Sequence, residues 1–223
     1  MKKFSNIYNK VGFFKINNFL KKKEVHKIEL ELEECLKNKK ILKYKDKKGK
    51  IRRIEKIYDK GEFLKKFDLD VKNLLRKIFK KKYSIFKDKL NIKPPGGEGF
   101  FAHYDGIFKF KNKNNKMLNG WYEYSDNFIN ILLAIDPCNR KNGTIEVAKA
   151  SNGDFYDLLK NTNNDGTPNL KKNYEAKLNF KFINLNVGDI LIFSNKCPHR
   201  SKKNKSNKNR KILYYTYTNN SSK

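Results

Sequence analysis

"GDILIFSNKCPHRSKKNKSNKNRKILYYTY", residues 188–217, carries the fold in its punctuation. A Gly-Asp turn opens a short apolar run to Phe193, of the length and composition of a buried strand. A polar, lysine-rich stretch then interrupts the pattern, and "RKILYYTYT" (210–218) resumes it with aromatic and β-branched residues. His199 lies between the two strands, just after Pro198.

Outward from this stretch, the chain from residue 85 keeps the spacing of strands. "FKDKLNIKP" (86–94), "FFAHYD" (100–105), "NFINILLAID" (127–136), "NGTIEVA" (142–148) and "FKFINL" (180–185) read as five more, separated by Gly, Pro and Asn turns. A short helix fits 153–160, and "NTNNDGTPN" (161–169) is a loop. The first third is helical. In "NNFLKKKEVHKIELELEECLKNKK" (17–40) the apolar residues fall on one face, with Asn18 as the expected N-cap. A second helix is expected over about 62–81, and between them a turn at Gly49 leads into a short strand. Helices followed by many strands predict a β-sandwich or jelly roll buttressed by helices. We read one domain over 1–223, with a helical part over about 1–82 and a jelly-roll core over about 83–218.

Composition limits the function classes. The 223 residues carry a formal net charge of +29, with 38% hydrophobic and 13% aromatic residues, so the chain can build a core. No run approaches the roughly 20 apolar residues of a membrane span, so no membrane partner is expected. The N-terminal segment lacks the apolar region of a signal peptide. Three cysteines, Cys35, Cys138 and Cys197, are odd in number and lack CxxC spacing, which fits a reducing, cytoplasmic location. The positive charge invites a nucleic-acid partner, but it is borne almost wholly by lysine and spread along the chain. Recognition of bases or phosphates in a fixed geometry favours arginine, so no specific nucleic-acid site is expected. A monomer or homodimer is anticipated.

Against this background the three histidines stand out. His26 lies on the first helix and reads as a surface residue. In "FFAHYDGIF" (100–108), His103 and Asp105 are two apart, so on a strand both point to one face. They form either half a metal site or a buried hydrogen-bonded pair. With His199, at the end of a later strand, they make two imidazoles and a carboxylate, the donor set of a facial Fe(II) triad with open positions. Cys197 competes as a ligand or is buried packing. Arg210 follows His199 by eleven residues and could fork onto the far end of a dicarboxylate, with Ser201 adding a hydroxyl. Trp121 is a pocket wall or plain packing.

"LNIKPPGGEGFFAHYDG", "NGTIEVAKAS" and the 188–217 stretch together resemble the phytanoyl-CoA dioxygenase family of Fe(II)/2-oxoglutarate oxygenases, over about residues 50–217. The resemblance implies a double-stranded β-helix with iron on His103, Asp105 and His199. It also implies 2-oxoglutarate on Arg210 and Ser201, with Asn91 matching a cosubstrate asparagine of related hydroxylases, and O2 as the oxidant. Two positions depart from the family: Tyr104 stands where many members have Gln, and "AKASN" replaces a Pro-Gly-Ser-His loop. The implied reaction is hydroxylation of a small organic substrate, with release of succinate and CO2. Arg200, Lys93, Lys109 and Lys149, expected near the cavity mouth, favour an anionic compound such as a phosphonate, carboxylate or phosphate or CoA ester. The alternatives are a basic nucleic-acid-binding protein on a jelly-roll scaffold and a catalytically degenerate family member.

Overall fold

A computed structural model describes residues 1–163 and 165–219. The helices are α1 (Lys2–Val11), α2 (Lys22–Lys37), α3 (Glu62–Phe79), α4 (Phe155–Leu159) and α5 (Lys172–Glu175). Strands β1 (Phe13–Ile16), β2 (Leu42–Lys45), β3 (Ile51–Glu55), β4 (Ser84–Lys93), β8 (Phe128–Ala134), β11 (Ile190–Ser194) and β13 (Arg210–Thr218) join one sheet, in the order β1-β11-β8-β13-β4-β3-β2. Strands β5 (Phe100–His103), β9 (Ile145–Val147), β10 (Lys181–Phe182) and β12 (His199–Ser201) form a second sheet, ordered β10-β9-β12-β5. A small hairpin pairs β6 (Phe110–Lys111) with β7 (Met117–Leu118). The strand pairings of the two main sheets among the described residues are all antiparallel, and the two together make the double-stranded β-helix. Residues 1–82 thus supply three strands of the larger sheet as well as three helices.

Period-two alternation divides the larger sheet into two faces. On its outer face Ile129, Ile131, Leu133, Ile190, Ile192, Leu213, Tyr215 and Tyr217 pack in one cluster with the helices. α2 contributes Val25, Ile28, Leu32 and Cys35, and α3 contributes Leu64, Phe67, Val71, Leu74, Leu75 and Ile78, each at helical spacing. The inner face shows the intervening residues, Leu132, Ala134, Leu191, Phe193, Ile212 and Tyr214, which pack with Ile145 and Val147 of the smaller sheet. Asn18 is not the N-cap of α2: Lys21 holds that place, and Asn18 sits at φ 50 with its N–H on the Asp189 carboxylate (2.8 Å). Asp189 also accepts from the Asn186 N–H, so it ties the entry to α2 onto the turn before β11. Gly49 takes φ 75 in the hairpin turn between β2 and β3, as the sequence predicts. No helix among the described residues is long and apolar enough to cross a membrane.

α3 begins at Gly61, which has no side chain to cap the exposed N–H groups of the first turn. α2 supplies the cap instead. Both oxygens of Glu31 accept from α3, one from the Phe63 N–H and the other from the Leu64 N–H (2.9 Å each). A carboxylate there also meets the positive end of the helix dipole. Replacing Glu31 with Ala should therefore destabilise the chain by about 1–2 kcal/mol, the range for lost N-caps. Urea unfolding followed by far-UV circular dichroism measures this, and an unchanged midpoint would mean that Glu31 does not hold α2 and α3 together.

Candidate metal and cosubstrate site

The pairing of β12 on β5 sets His199 directly opposite His103. Cross-strand neighbours on one face lie side by side, and the two imidazole centroids are 4.2 Å apart. Each ring uses Nδ1 on the carbonyl two residues before it: His103 on Phe101 O at 2.7 Å, His199 on Cys197 O at 3.0 Å. A carbonyl only accepts, so a neutral ring so placed carries its proton on Nδ1 and leaves the Nε2 lone pair free. Burial favours that neutral form, pushing His103 down to about 4, with His199 beside it acting in the same direction. His199 is lowered as well, again chiefly by burial.

Asp105 joins them by a route the sequence pattern did not give. β5 ends at His103, so Asp105 lies in the bend beyond it rather than on a shared strand. Tyr104 still turns to the opposite side, fully buried, with its hydroxyl on Ser151 (2.6 Å) and Tyr174 (3.1 Å). The Asp105 N–H donates to Asn195 O, and Asn195 Nδ2 donates back to Asp105 O. Gly106 follows at φ 78, where a Cβ would lie 2.5 Å from the Trp121 ring. Held in this way, the carboxylate and both imidazoles bring three donor atoms within 4.8 Å of one another. His199 opens β12 rather than ending the strand before it.

One oxygen of Asp105 is already committed. Oδ2 accepts from Tyr214 Oη (2.5 Å) and from Asn130 Nδ2 (2.9 Å), while Asn130 Oδ1 accepts from Thr216 Oγ1 (2.8 Å). Burial would raise the carboxyl's pKa, but His199, Lys89 and the Tyr214 bond outweigh it and hold the group below its ordinary value. Tyr214 itself is pushed well up by burial and by Asp105, so it remains a donor. Sequence reasoning missed both Asn130 and Tyr214. The signal for Asn130 was a lone amide inside the apolar run "FINILLA". For Tyr214 it was parity, since Arg210, Ile212 and Tyr214 must share a strand face.

A cavity of about 80 Å³ extends from the histidines, lined at its other end by Arg210, Ser201 and Asn91. Arg210 is nearly fully buried; Nη1 donates to Gly143 O (2.8 Å) while its buried Nε has no partner. Lys93 faces Arg210 across β4 and β13 and donates to the same Gly143 O (3.0 Å), to Ser201 Oγ (2.9 Å) and to Lys202 O (2.6 Å). Lys93 is therefore not at the mouth but 1% exposed, because β4 alternation turns it inward. Burial, reinforced by Arg210, pushes it down to about 7. Neither cation has an ion-paired carboxylate among the described residues. Ser201 Oγ accepts from Lys93 and from the Phe100 N–H, which leaves its own proton to donate. This end of the cavity has the donors for a carboxylate and lacks one.

The other singled-out residues lie elsewhere or are occupied. Arg200 lines the cavity, but Nε donates to Glu146 (2.9 Å) and Nη1 to Glu175 (2.7 Å). Lys109 rests over the Tyr156 ring, and Lys149 is exposed. Cys197 is fully buried packing, its thiol on Gly12 O and pushed up to about 12 by burial. Trp121 packs against Phe86 and Phe128, with centroids 5.3 Å away in each case, and does not line the cavity. His26 is on the surface beside Glu29. Lys89 and Arg53 also line the cavity and were not anticipated. Lys89 has the same strand parity as Asn91 and Lys93, a signal hidden by the abundance of lysine.

The donor set suits a divalent ion that accepts neutral imidazole and carboxylate, Fe(II) among them. The unpartnered Arg210 Nε and the Lys93 ammonium suit the far carboxylate of a keto diacid. Comparisons with known proteins point the same way. The chain is 29% identical over 135 residues to a 2-aminoethylphosphonate dioxygenase of an uncultured bacterium, covering 60% of this chain and 45% of that protein. It is 29% identical over 139 residues to a methylphosphonate hydroxylase of Gimesia maris, covering 60% and 44%. The matches thus span under half the length of these relatives. In structure it is similar to the epimerase SnoN from nogalamycin biosynthesis (TM-score 0.76, 12% identity, 97% of this chain and 82% of that one). It is also similar to EctD from S. alaskensis with 2-oxoglutarate and 5-hydroxyectoine (TM-score 0.75, 13% identity, 98% and 76%). At these identities the structural likeness bears on the fold, the double-stranded β-helix. The phytanoyl-CoA dioxygenase (PhyH) profile matches residues 8–212, nearly the whole chain. The chain therefore belongs to the phytanoyl-CoA dioxygenase family, whose members are Fe(II)- and 2-oxoglutarate-dependent oxygenases.

Proposed function

We propose that this protein is an Fe(II)- and 2-oxoglutarate-dependent dioxygenase that hydroxylates a small anionic organic compound. One observation carries the reading. A cavity joins His103 and His199, whose donor atoms converge with that of Asp105, to Arg210, behind which Lys93 is buried, and neither cation has an ion-paired carboxylate among the described residues. His103, Asp105 and His199 would hold the metal, and Arg210, Ser201 and Asn91, with Lys93 behind them, the cosubstrate.

Bound there, Fe(II) would supply the redox chemistry of O2 use coupled to oxidation of 2-oxoglutarate, in which one oxygen atom would end in succinate and the other in the hydroxylated product, with CO2 released. The chain's own residues provide placement. Tyr214 and Asn130 hold the Asp105 carboxylate through Oδ2, which lies 3.5 Å from His199 Nε2, and so keep it beside the histidines. Arg210 orients the cosubstrate through a planar donor fork at the closed end, and the apolar walls Leu132, Ile145 and Ile212 keep water out of the cavity. The phosphonate-acting relatives support a compact anion as substrate, as does the excess of cations lining the cavity.

Four expectations follow for purified protein. Anaerobic Fe(II) with 2-oxoglutarate should give the weak visible charge-transfer band of a chelated keto acid, unaffected by added nucleic acid. His103→Ala, Asp105→Ala and His199→Ala should each abolish 2-oxoglutarate turnover, and Asp105→Ala should also lose the band. Retained turnover in the Asp105 or His199 variant would sink the ligand assignment. Arg210→Lys keeps a charge but loses the fork, so 2-oxoglutarate binding should weaken by about 1.5–3 kcal/mol, the range for charged hydrogen bonds. Unchanged affinity would shift the anchor to Lys93. Tyr214→Phe removes a bond to the ligand carboxylate, so Fe(II) affinity should fall about 10–100-fold, as for other groups that orient metal ligands. Equal affinity in the two proteins would leave Asp105 positioned by Asn130 alone.

A further inference from the structure

The cations along the cavity are not equivalent. Arg53 is 3.1 Å from Glu55 and stacks on the Tyr44 ring, while Arg200 is bound to Glu146 and Glu175. Arg210 and Lys93 belong to the cosubstrate end. Lys89 is different. It lines the cavity, yet its ammonium has no hydrogen-bond acceptor and no ion pair among the described residues. Its one specific contact is the face of Tyr214, with Nζ 4.2 Å from the ring centroid. Tyr214 in turn donates to Asp105. Lys89 is thus one aromatic ring away from the metal-binding carboxylate.

Strand geometry separates Lys89 from the other unpaired cations. Lys89 pairs with Tyr214, and Lys93 pairs with Arg210, on the same two strands. Four residues of extended chain put the two positions roughly 13 Å apart. A cosubstrate whose far carboxylate meets Arg210 cannot bring that same carboxylate to Lys89. Charge gives the same result. A divalent metal, Asp105, a doubly charged keto diacid, Arg210 and Lys89 leave one positive charge over, and a second when Lys93 is protonated. Buried cations in such excess call for another anion. Burial pushes the Lys89 ammonium down to about 8, and an oxyanion beside it would oppose that shift.

We propose that Lys89, on its Tyr214 platform, is the receptor for the anionic head of the substrate, a compact oxyanion of the phosphonate or carboxylate class. The inference rests on the Fe(II)/2-oxoglutarate reading above and deepens it. With the head on Lys89, the adjoining C–H group of a short substrate lies toward Asp105 and the metal position. The size of the cavity favours substrates of a few heavy atoms beyond the head. A lysine suits this role, because a single ammonium on a flexible stem can follow a small anion of either geometry.

The test uses anaerobic protein loaded with Fe(II) and 2-oxoglutarate and titrated with methylphosphonate, 2-aminoethylphosphonate or propionate. Binding is read by calorimetry and by perturbation of the visible band. The wild type should bind at least one probe saturably. Lys89→Met should weaken that binding at least about tenfold while leaving 2-oxoglutarate affinity within about twofold, as expected when one charged contact to the probe is lost. Lys89→Arg, which keeps the charge, should recover part of it. Probe binding that survives Lys89→Met would overturn the proposal, as would wild-type protein that binds none of the three. Loss of 2-oxoglutarate affinity in Lys89→Met would also overturn it, assigning the ammonium to the keto acid's own carboxylate. Absence of the band in wild-type protein is a separate result, and it would count against the metal and cosubstrate reading itself.

Discussion

The register of Arg210–Thr218 between its two neighbours is the constraint on which the site depends. This strand lies between β4 and β8, placing Arg210 beside Lys93, Tyr214 between Lys89 and Leu132, and Thr216 beside Asn130. Side chains alternate between faces, so a slip of one residue would turn all of these outward and bring Leu213, Tyr215 and Tyr217 into the cavity. The helices prevent that slip. Tyr215 packs on Phe67 of α3 with ring centroids 5.3 Å apart, and Tyr217 donates to Asp68 on the same helix (2.9 Å). Glu31 in turn fixes the start of α3 to α2. The helical layer is far from the histidines, yet it decides which side chains face the cavity.

The inner face so defined carries an unusual load of buried polar groups, and these fall into two kinds. Around Asp105 every prominent donor and acceptor is matched: Tyr214, Asn130 and Thr216 form a closed chain of hydrogen bonds. Such a network holds one geometry, because any rearrangement would leave a buried polar atom unpaired. Around Arg210 the matching is incomplete, since Nε is orphaned and the neighbouring Lys93 finds only neutral oxygens. An incomplete cationic cluster costs stability in the free protein. A carboxylate arriving there would recover that cost. Rigidity thus lies around Asp105 and its two histidines, and electrostatic deficit around Arg210.

Much of this could be read from the sequence. The buried strands 190–194 and 210–218, the two long helices and the His-x-Asp pair stand out because composition and period agree there. The helix α1 and strand β1 did not stand out. Phe4, Ile7 and Tyr8 lie at helical spacing but are only partly buried, and β1 has four residues whose place is set by pairing with β11. Asn18 suits a cap by type, but the Asp189 carboxylate captures its N–H and moves the helix start to Lys22. Asp105 reached its histidines although the strand had ended, because Tyr104 turned away into a buried hydroxyl cluster. Asn91 was legible only through family resemblance, since an asparagine in a lysine-rich strand is chemically unremarkable. Lys89 was hidden, and Lys93 was expected at the mouth rather than inside, for the opposite reason: in a chain of this composition one more lysine carries little signal, and only strand parity distinguishes those that face inward.

That distinction bears on what the +29 charge does. Exposed lysines such as Lys37, Lys66 and Lys160 pair with acids one helical turn away, as solvated surface charges do. Their field is long-ranged but screened within about 8–10 Å at ordinary ionic strength. It can hasten the encounter with small anions without choosing among them. Selection needs charges that water cannot screen, and those are the few placed by alternation on the inner faces of β4 and β13. The same residue type therefore has two separate physical effects in this protein. On the surface lysine adds a diffuse attraction that salt removes, whereas inside, next to an aromatic face and a carboxylate-bound metal position, it acts on one ligand at one distance. A substitution that removed several surface lysines would change association rates, and one that removed Lys89 alone would change which anion is held.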